Sequence, residues 1–305
     1  MIRAGLILNP RSRRHRAGGL AELPAREGLL SAAPTTRDEL RTALARFAAA
    51  EVSVLVVDGG DGTVREVLTH AAEPFGARLP ALAVLPSGKT NALALDLGAP
   101  RGWSLDAALA AARRGRTHGR RPIEVFRAGD PAPLARGFIF GAGAFVRATE
   151  LAQRTHRLGA LDDLAIGLTL AAALTQTVFG GSSSSWRRGE LMRLRIDDQE
   201  AEQTRLSLVI ASTLERLPLN LKPFGPAAGG LRMLTVPAPP RRLLGALPGL
   251  LLGRDEHRLA AGGYRRLRPE SFELSLPSGF VLDGEAFPGG DLTVRSGAPL
   301  AFVAP

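Results

Sequence analysis

Three short stretches of this 305-residue chain combine glycine with groups able to carry charge or protons: VLVVDGGDGTVREV (54–67), LPSGKTNALALDLG (85–98) and VLDGEAF (281–287). In the first, β-favouring residues run into Gly59, Gly60, Asp61, Gly62 and Thr63, and a helical pattern follows. A glycine turn that opens a helix presents backbone N–H groups and the positive end of a dipole, which suits phosphate oxygens. A carboxylate repels phosphate unless a divalent cation lies between them, so Asp61 implies Mg²⁺, or a water network, if a nucleotide binds here. The same letters also make an ordinary strand-to-helix turn, because Gly and Asp tolerate left-handed backbone. The stretch is neither a P-loop nor a dinucleotide fingerprint.

In the second stretch Pro86, Gly88, Lys89, Thr90 and Asn91 stand between a strand and a helix. Lys89 could act as a point charge on phosphate; Asn or Thr could equally cap the helix. Lys89 is conspicuous because only it and Lys222 are lysines among 39 basic residues. In the third, Asp283-Gly284 is by itself a hairpin signal.

The elements that must position these residues alternate over the first third. Strand-like runs at 4–10, 52–60 and 81–88 interleave with helical patterns around 37–50, 63–72, 90–97 and 104–114, which predicts an α/β domain with a parallel sheet. Ligands of such sheets sit at the carboxyl ends of the strands, where Asn9, 59–63 and 86–91 fall. From about residue 121 short apolar runs separated by Gly, Pro and Asp predict a β-rich, sandwich-like second domain, with helices only at about 146–179 and 240–260. The expected division is 1–120, an α/β nucleotide-binding domain, and 121–305, a β-rich lipid-substrate domain whose last strands return to the first. The run at 180–190, GGSSSSWRRGE, reads as a loop.

With 45% hydrophobic and 22% charged residues the composition is globular. The absence of cysteine excludes disulfides and thiolate metal sites and fits a reducing, cytoplasmic setting. The N-terminus shows no signal-peptide pattern, and the apolar stretch 164–179 is short for a membrane span and carries Thr and Gln, so it reads as a buried helix. A net charge of +10 favours polyanionic partners without choosing among them. The run RSRRHR (11–16) reads as a basic loop that is solvated or reaches phosphate, and RRLLGALPGLLLGR (241–254) as a helix packed on the second domain or touching a bilayer. The five histidines show no metal-ligand spacing.

Taken in order, LNPRS at the first strand end, GGDGTVREV, PSGKTNALA and the late DGE resemble the diacylglycerol kinase catalytic-domain family, which includes bacterial lipid kinases and sphingosine kinases. The resemblance implies a nucleotide-binding α/β domain, a β-rich second domain and an active site in their cleft. It implies ATP and Mg²⁺ as cofactors, a diacylglycerol-like lipid as acceptor, contact with an anionic membrane surface from the cytoplasmic side, and no nucleic-acid partner. Carried over by position, Asn9, Arg11 and Ser12 match a phosphate-side loop, and Thr36 (or Thr35) a nucleotide contact. Gly59, Gly60, Asp61, Gly62 and Thr63 match the signature loop, with Glu66 in its helix, and Gly88, Lys89 and Asn91 fall in the third loop. Glu285 matches the proposed general base, with Asp283 beside it and Asp61 in the catalytic set and nearest the cation.

The chain departs from the family pattern in three places. Lys89 stands where Thr is usual and Ala92 where Asp is usual, Glu124 replaces an Asp, and 222–233 lacks the acids that hold a structural Mg²⁺ in many bacterial members. Two alternatives therefore remain: a nucleotide- or lipid-binding protein of the same fold with weak catalysis, and a kinase of a soluble acceptor resembling NAD kinases.

Overall fold

A computed structural model describes residues 2–12, 23–76, 78–100, 102–157, 188–226 and 229–305. They form two compact units: Met1–Pro122 with Ala135–Gly137 and Gly297–Pro305, and Ile123–Leu134 with Phe138–Ser296. The first unit contributes β1 (Ala4–Leu8), β2 (Leu29–Ala32), α1 (Arg37–Ala49), β3 (Val54–Gly59), α2 (Asp61–Phe75), β4 (Ala81–Pro86), α3 (Ala92–Asp96), α4 (Leu105–Arg113) and β5 (Thr117–Arg120). The second opens with β6 (Ile123–Arg127), the chain supplies β7 (Ala135–Gly137) to the first unit, and the second resumes with β8 (Ile139–Gly143), α5 (Ala144–Arg157), β9 (Glu190–Ile196) and β10 (Glu202–Ser212). It continues through β11 (Arg232–Pro237), α6 (Leu243–Leu252), α7 (Glu256–Ala261), β12 (Arg265–Leu267), β13 (Ser271–Leu276), β14 (Phe280–Leu282), β15 (Glu285–Phe287) and β16 (Gly290–Ser296). Strand β17 (Leu300–Val303) closes the first unit.

The first unit's sheet runs β2-β1-β3-β4-β17-β5, parallel throughout except between β17 and β5. Every residue of β1 and β3 is buried, which explains why both are apolar apart from Asp58 of β3: helices cover both faces of the sheet. Leu6, Val54, Val56, Ala83 and Leu85 form a core with Trp103, Ala108 and Leu109 on the α4 side. On the other face the Phe47 ring of α1 lies directly over Gly5, where a Cβ would come within 2.5 Å of it. Helix α1 starts at a capping box in which the Thr36 side chain accepts from the Glu39 N–H and the Glu39 carboxylate turns back on the cap backbone. A buried Asp96 carboxylate receives the Arg120 guanidinium at 2.7 Å, tying α3 to β5.

The second unit is one large antiparallel sheet with the path β15-β14-β8-β10-β9-β13-β16-β6, and β11 and β12 extending from β10. Burial alternates along β9 and β13, so one face is packed and the other meets water. The short strands β2, β5 and β12 give no strong periodic signal of their own. The helical pattern at 240–260 divides into α6 and α7, because Gly253 (φ 75°) and Asp255 (φ 57°) turn left-handed between them. Of the helix expected at 146–179, Ala144–Arg157 is described; the apolar run 164–179, most of the 180–190 loop and most of 11–16 lie outside the described residues.

An aromatic ladder backs the β14–β15 hairpin. Phe280 stacks on Phe140 at 5.3 Å and on Phe287 at 5.1 Å, and Phe140 meets Phe272 edge-on at 5.7 Å. Phe280 is fully buried. Phe280→Ala should therefore lower the unfolding free energy measured in urea by about 3–5 kcal/mol.

Candidate active site

The loops at the carboxyl ends of β1, β3 and β4 are joined by specific contacts. Asn9, just past β1, donates its Nδ2–H to Thr63 Oγ1 at 2.7 Å, and its Oδ1 accepts from the Arg11 backbone N–H at 2.9 Å. Ser12 is only 6% exposed, and its hydroxyl has no hydrogen-bond partner among the described residues. Gly60 and Gly88 pass with backbone against backbone: a Cβ on Gly88 would lie 2.4 Å from the Gly60 Cα. The Asn91 side chain closes the third loop on itself, accepting from the Gly88 N–H at 2.9 Å and donating to the Gly88 carbonyl at 3.0 Å.

Asp61 takes a role that the sequence did not suggest. Its two carboxylate oxygens accept the backbone N–H groups of Ala92 (2.9 Å) and Leu93 (3.1 Å), so it caps α3 from the neighbouring loop. Burial pushes this carboxyl above the usual carboxylate range, and the amides of Ala92 and Leu93 pull it back. The two helix starts thereby differ. The α3 terminus is occupied by Asp61, whereas α2 begins at Gly60 with no side-chain cap. Its first amides and the Ser12 hydroxyl are donors an anion could use.

Two further polar contacts hold the loops from below. The Ser87 hydroxyl donates to the Asp58 carboxylate, both buried, which ties the end of β3 to the loop after β4. Glu66 lies between helices: Arg37 Nε reaches it at 3.0 Å, Arg65 Nη2 at 2.9 Å, and His70 Nε2 lies 3.6 Å away. This arrangement makes Glu66 a clasp between α1 and α2. Burial works to raise its carboxyl, but His70, Arg65 and Arg37 outweigh burial and bring it from 4.5 to about 2. The Asp58–Ser87 pair and the buried Arg65 were missed in the sequence. Their only signal was a polar residue at the end of an otherwise apolar run and an arginine on the inner face of a helix.

In the second unit, Asp283 and Gly284 sit at φ 45° and 80° between Leu282 and Glu285, which face each other across the hairpin. Two successive positive-φ residues are the signature of a type I′ turn. Asp283 uses its carboxylate as Asp61 does, accepting the backbone N–H groups of Phe138 (3.0 Å) and Ile139 (2.9 Å). Glu285 begins β15 and is half-buried. Glu124 pairs with Arg295 at 3.2 Å across the β6–β16 ladder. Lys89 is exposed and makes no hydrogen bond or ion pair among the described residues. Arg11 is exposed, and Thr36 is engaged in its capping box.

The donor set suits a nucleotide's phosphates better than a protein-held metal. Among the described residues no three His, Cys, Asp or Glu side chains gather as a metal cage, and both oxygens of Asp61 already accept amides. Mg²⁺ arriving on phosphate needs only one or two protein ligands.

Residues 3–127 match the diacylglycerol kinase catalytic domain family. The match takes in all three loops of the first unit and stops before the DGE hairpin. Two curated proteins described as "Probable lipid kinase YegS", from Shigella flexneri and Escherichia coli (strain K12 / DH10B), are 41% identical over 58 residues, 19% of this chain and 19% of each relative. The aligned part thus spans about a fifth of those relatives. Over the whole chain, a crystal structure of a diacylglycerol kinase from Bacillus anthracis str. Sterne superposes with a TM-score of 0.65, covering 99% of this chain and 97% of that one at 14% identity. At that identity the likeness is one of fold. The α/β unit with its mainly parallel sheet and the antiparallel β-rich unit are the folds expected from the diacylglycerol kinase resemblance.

Glycines 88 and 62 give opposite expectations. Gly88→Ala must drive the two loops apart and should lower the melting temperature. Gly62, whose added Cβ would meet nothing closer than Arg65 Nη1 at 3.8 Å, should accept alanine and gain about 0.5–1 kcal/mol in urea unfolding. For Glu66, the folded-state carboxyl titrates below its ordinary value, so its stabilisation is complete above pH 4.5 and is lost as pH falls toward 2. The stability gap between the unchanged protein and Glu66→Gln should be flat above that window and narrow within it, as read by urea titrations at a series of pH values.

Proposed function

We propose that the chain is an ATP-dependent lipid kinase that transfers the γ-phosphoryl group of MgATP to a hydroxyl of a diacylglycerol-like lipid. The observation that carries this reading is the start of α2: an uncapped helix terminus, framed by the Asn9–Thr63 bond and the Gly60–Gly88 contact, within the region matching a diacylglycerol kinase catalytic domain. Gly62 supports it, since nothing among the described residues requires a glycine there, whereas close approach of a phosphate does.

In this reading Gly59–Thr63, Ser12 and Gly88 line the phosphates, and Asn9 and Asn91 set the loops. Arg11 and Lys89 supply positive charge, with Lys89 replacing the usual hydroxyl donor by a cation. Thr36 and Glu66 fix the α1 edge of the nucleotide site. Asp61 and Asp283 are positioning residues, each holding a pair of backbone amides. Glu285 is the general base. The acceptor O–H gives its proton to the Glu285 carboxylate, the oxygen bonds to the γ-phosphorus, and the bond to the β–γ bridging oxygen breaks to release ADP. Mg²⁺ enters with ATP and offsets charge on the phosphate oxygens.

Incubating the purified chain with γ-labelled ATP, Mg²⁺ and mixed micelles containing diacylglycerol should yield a labelled lipid. Glu285→Gln should reduce turnover roughly hundred- to ten-thousand-fold with ATP affinity retained, and Gly62→Ala should weaken ATP binding without unfolding the protein. Transfer to NAD or another soluble acceptor would favour the soluble-kinase reading. ATP binding with no transfer to any acceptor would favour a binding protein.

A further inference from the structure

Helix α6 reads LLGALPGLLL and has no charged residue. One side of it is spoken for: Ala246 and Leu250 pack into a core with Phe224, Leu234, Val236, Leu259 and Tyr264. The opposite side is equally apolar. Leu244, Pro248, Leu251 and Leu252 recur at i, i+4, i+7 and i+8, a single stripe on a helix, and all four face solvent. Leu244 and Leu252 are 61% and 57% exposed. A helix that packs on its own core by one face ordinarily carries polar residues on the other.

A further exposed leucine lies on a loop fastened to this helix. Leu219, 55% exposed, holds a left-handed conformation (φ 57°) that a branched side chain rarely adopts. Its loop is fastened to α6 where the Lys222 N–H donates to the Leu251 carbonyl at 2.9 Å. Arg266 clamps the same end, donating to the carbonyls of Gly249 and Pro223, each at 2.8 Å. The leucines are therefore displayed on a fixed frame.

Charge indicates what covers them. Between Glu215 and Asp255 the sequence has six basic residues and no acid, and five of the six, all but Arg232, are exposed. Arg241 and Arg242 stand exposed before the helix, and Lys222 and Arg254 stand exposed at its far end. Leucines bracketed by cations match the boundary of an anionic bilayer, with apolar chains at the acyl region and guanidinium groups at the phosphates. The same rim disfavours a second copy of the chain, since a two-fold contact through this face would oppose like charges.

We propose that the outward face of α6, with Leu219, docks the protein on an anionic lipid bilayer without crossing it. No helix among the described residues is long and apolar enough to cross. The proposal deepens the lipid-kinase reading by naming how the acceptor's membrane is met, and it rests on that reading for its purpose alone.

Sedimentation of the full chain with vesicles in the absence of ATP tests it independently of catalysis. Vesicles of phosphatidylcholine containing phosphatidylglycerol should carry the protein down, and pure phosphatidylcholine vesicles should do so weakly. Leu251→Ser combined with Leu252→Ser should cut the partition coefficient at least about tenfold. Arg241→Gln combined with Arg242→Gln should cut it about fivefold per charge at low salt and little at high salt. Both variants should keep the urea midpoint and ATP affinity of the unchanged protein.

Vesicle binding that survives both double substitutions, or no binding by the unchanged protein, would overturn the proposal. So would a dimer that the leucine substitutions convert to monomer, or binding that appears only after residues 158–187 are removed. Vesicle binding lost with these residues, in a protein that phosphorylates no lipid, supports the docking surface and removes the kinase reading. Lipid phosphorylation with none of these losses removes the docking surface alone.

Discussion

The first unit depends on a carboxylate that bridges two loops. Asp61 leaves the start of α2 and accepts the amides that open α3. One side chain thus satisfies donors that α3 would otherwise leave unpaired, and it fixes the distance between the loops after β3 and β4. Gly60 and Gly88 can then touch backbone to backbone. Any side chain at Gly88 would break the contact that Asp61 maintains.

The bridge also decides which helix terminus remains available. A terminus whose amides already bind a carboxylate has little to offer a phosphate, whereas α2 has no side-chain cap at Gly60 and its one first-turn acid, Asp61, accepts the α3 amides. Asn9 and Thr63 brace that terminus from β1, and the Asp58–Ser87 pair braces it from beneath the sheet edge. Glu66 anchors the same helix to α1 through Arg37. Most acidic groups near these loops thus hold donors in place, which answers why a basic chain keeps carboxylates in a glycine turn.

The second unit uses the same device. Asp283 holds the amides of Phe138 and Ile139, so the hairpin tip is pinned to β8 while the stack of Phe140, Phe280 and Phe287 supports it from behind. Glu285 follows on a strand whose direction is fixed by both. Helix α6 obeys a different economy of surface: its inner face completes a small core, and its outer face leaves leucines in water beside arginines. An apolar stripe that the fold does not cover is a cost unless something outside the chain covers it.

The elements legible in the order of residues are those with almost wholly apolar runs or with caps set by local chemistry. β1, β3 and β4 were legible as unbroken runs, α1 by its amphipathic period, and the Asp283-Gly284 hairpin by its turn residues, because each of those signals acts between neighbours in the chain. The positions of Gly59–Thr63 and Gly88–Asn91 at strand ends were legible for the same reason. Short β2 and β5 were not, since four-residue edge strands are specified by their partners rather than by their own period. What the acids do was set by the packing of distant segments. Asp61 meets Ala92 and Leu93, and Asp283 meets Phe138 and Ile139, across 31 or more residues of sequence. A hydrogen bond is set by the geometry of packed backbones, and nothing in the local order of residues records that geometry.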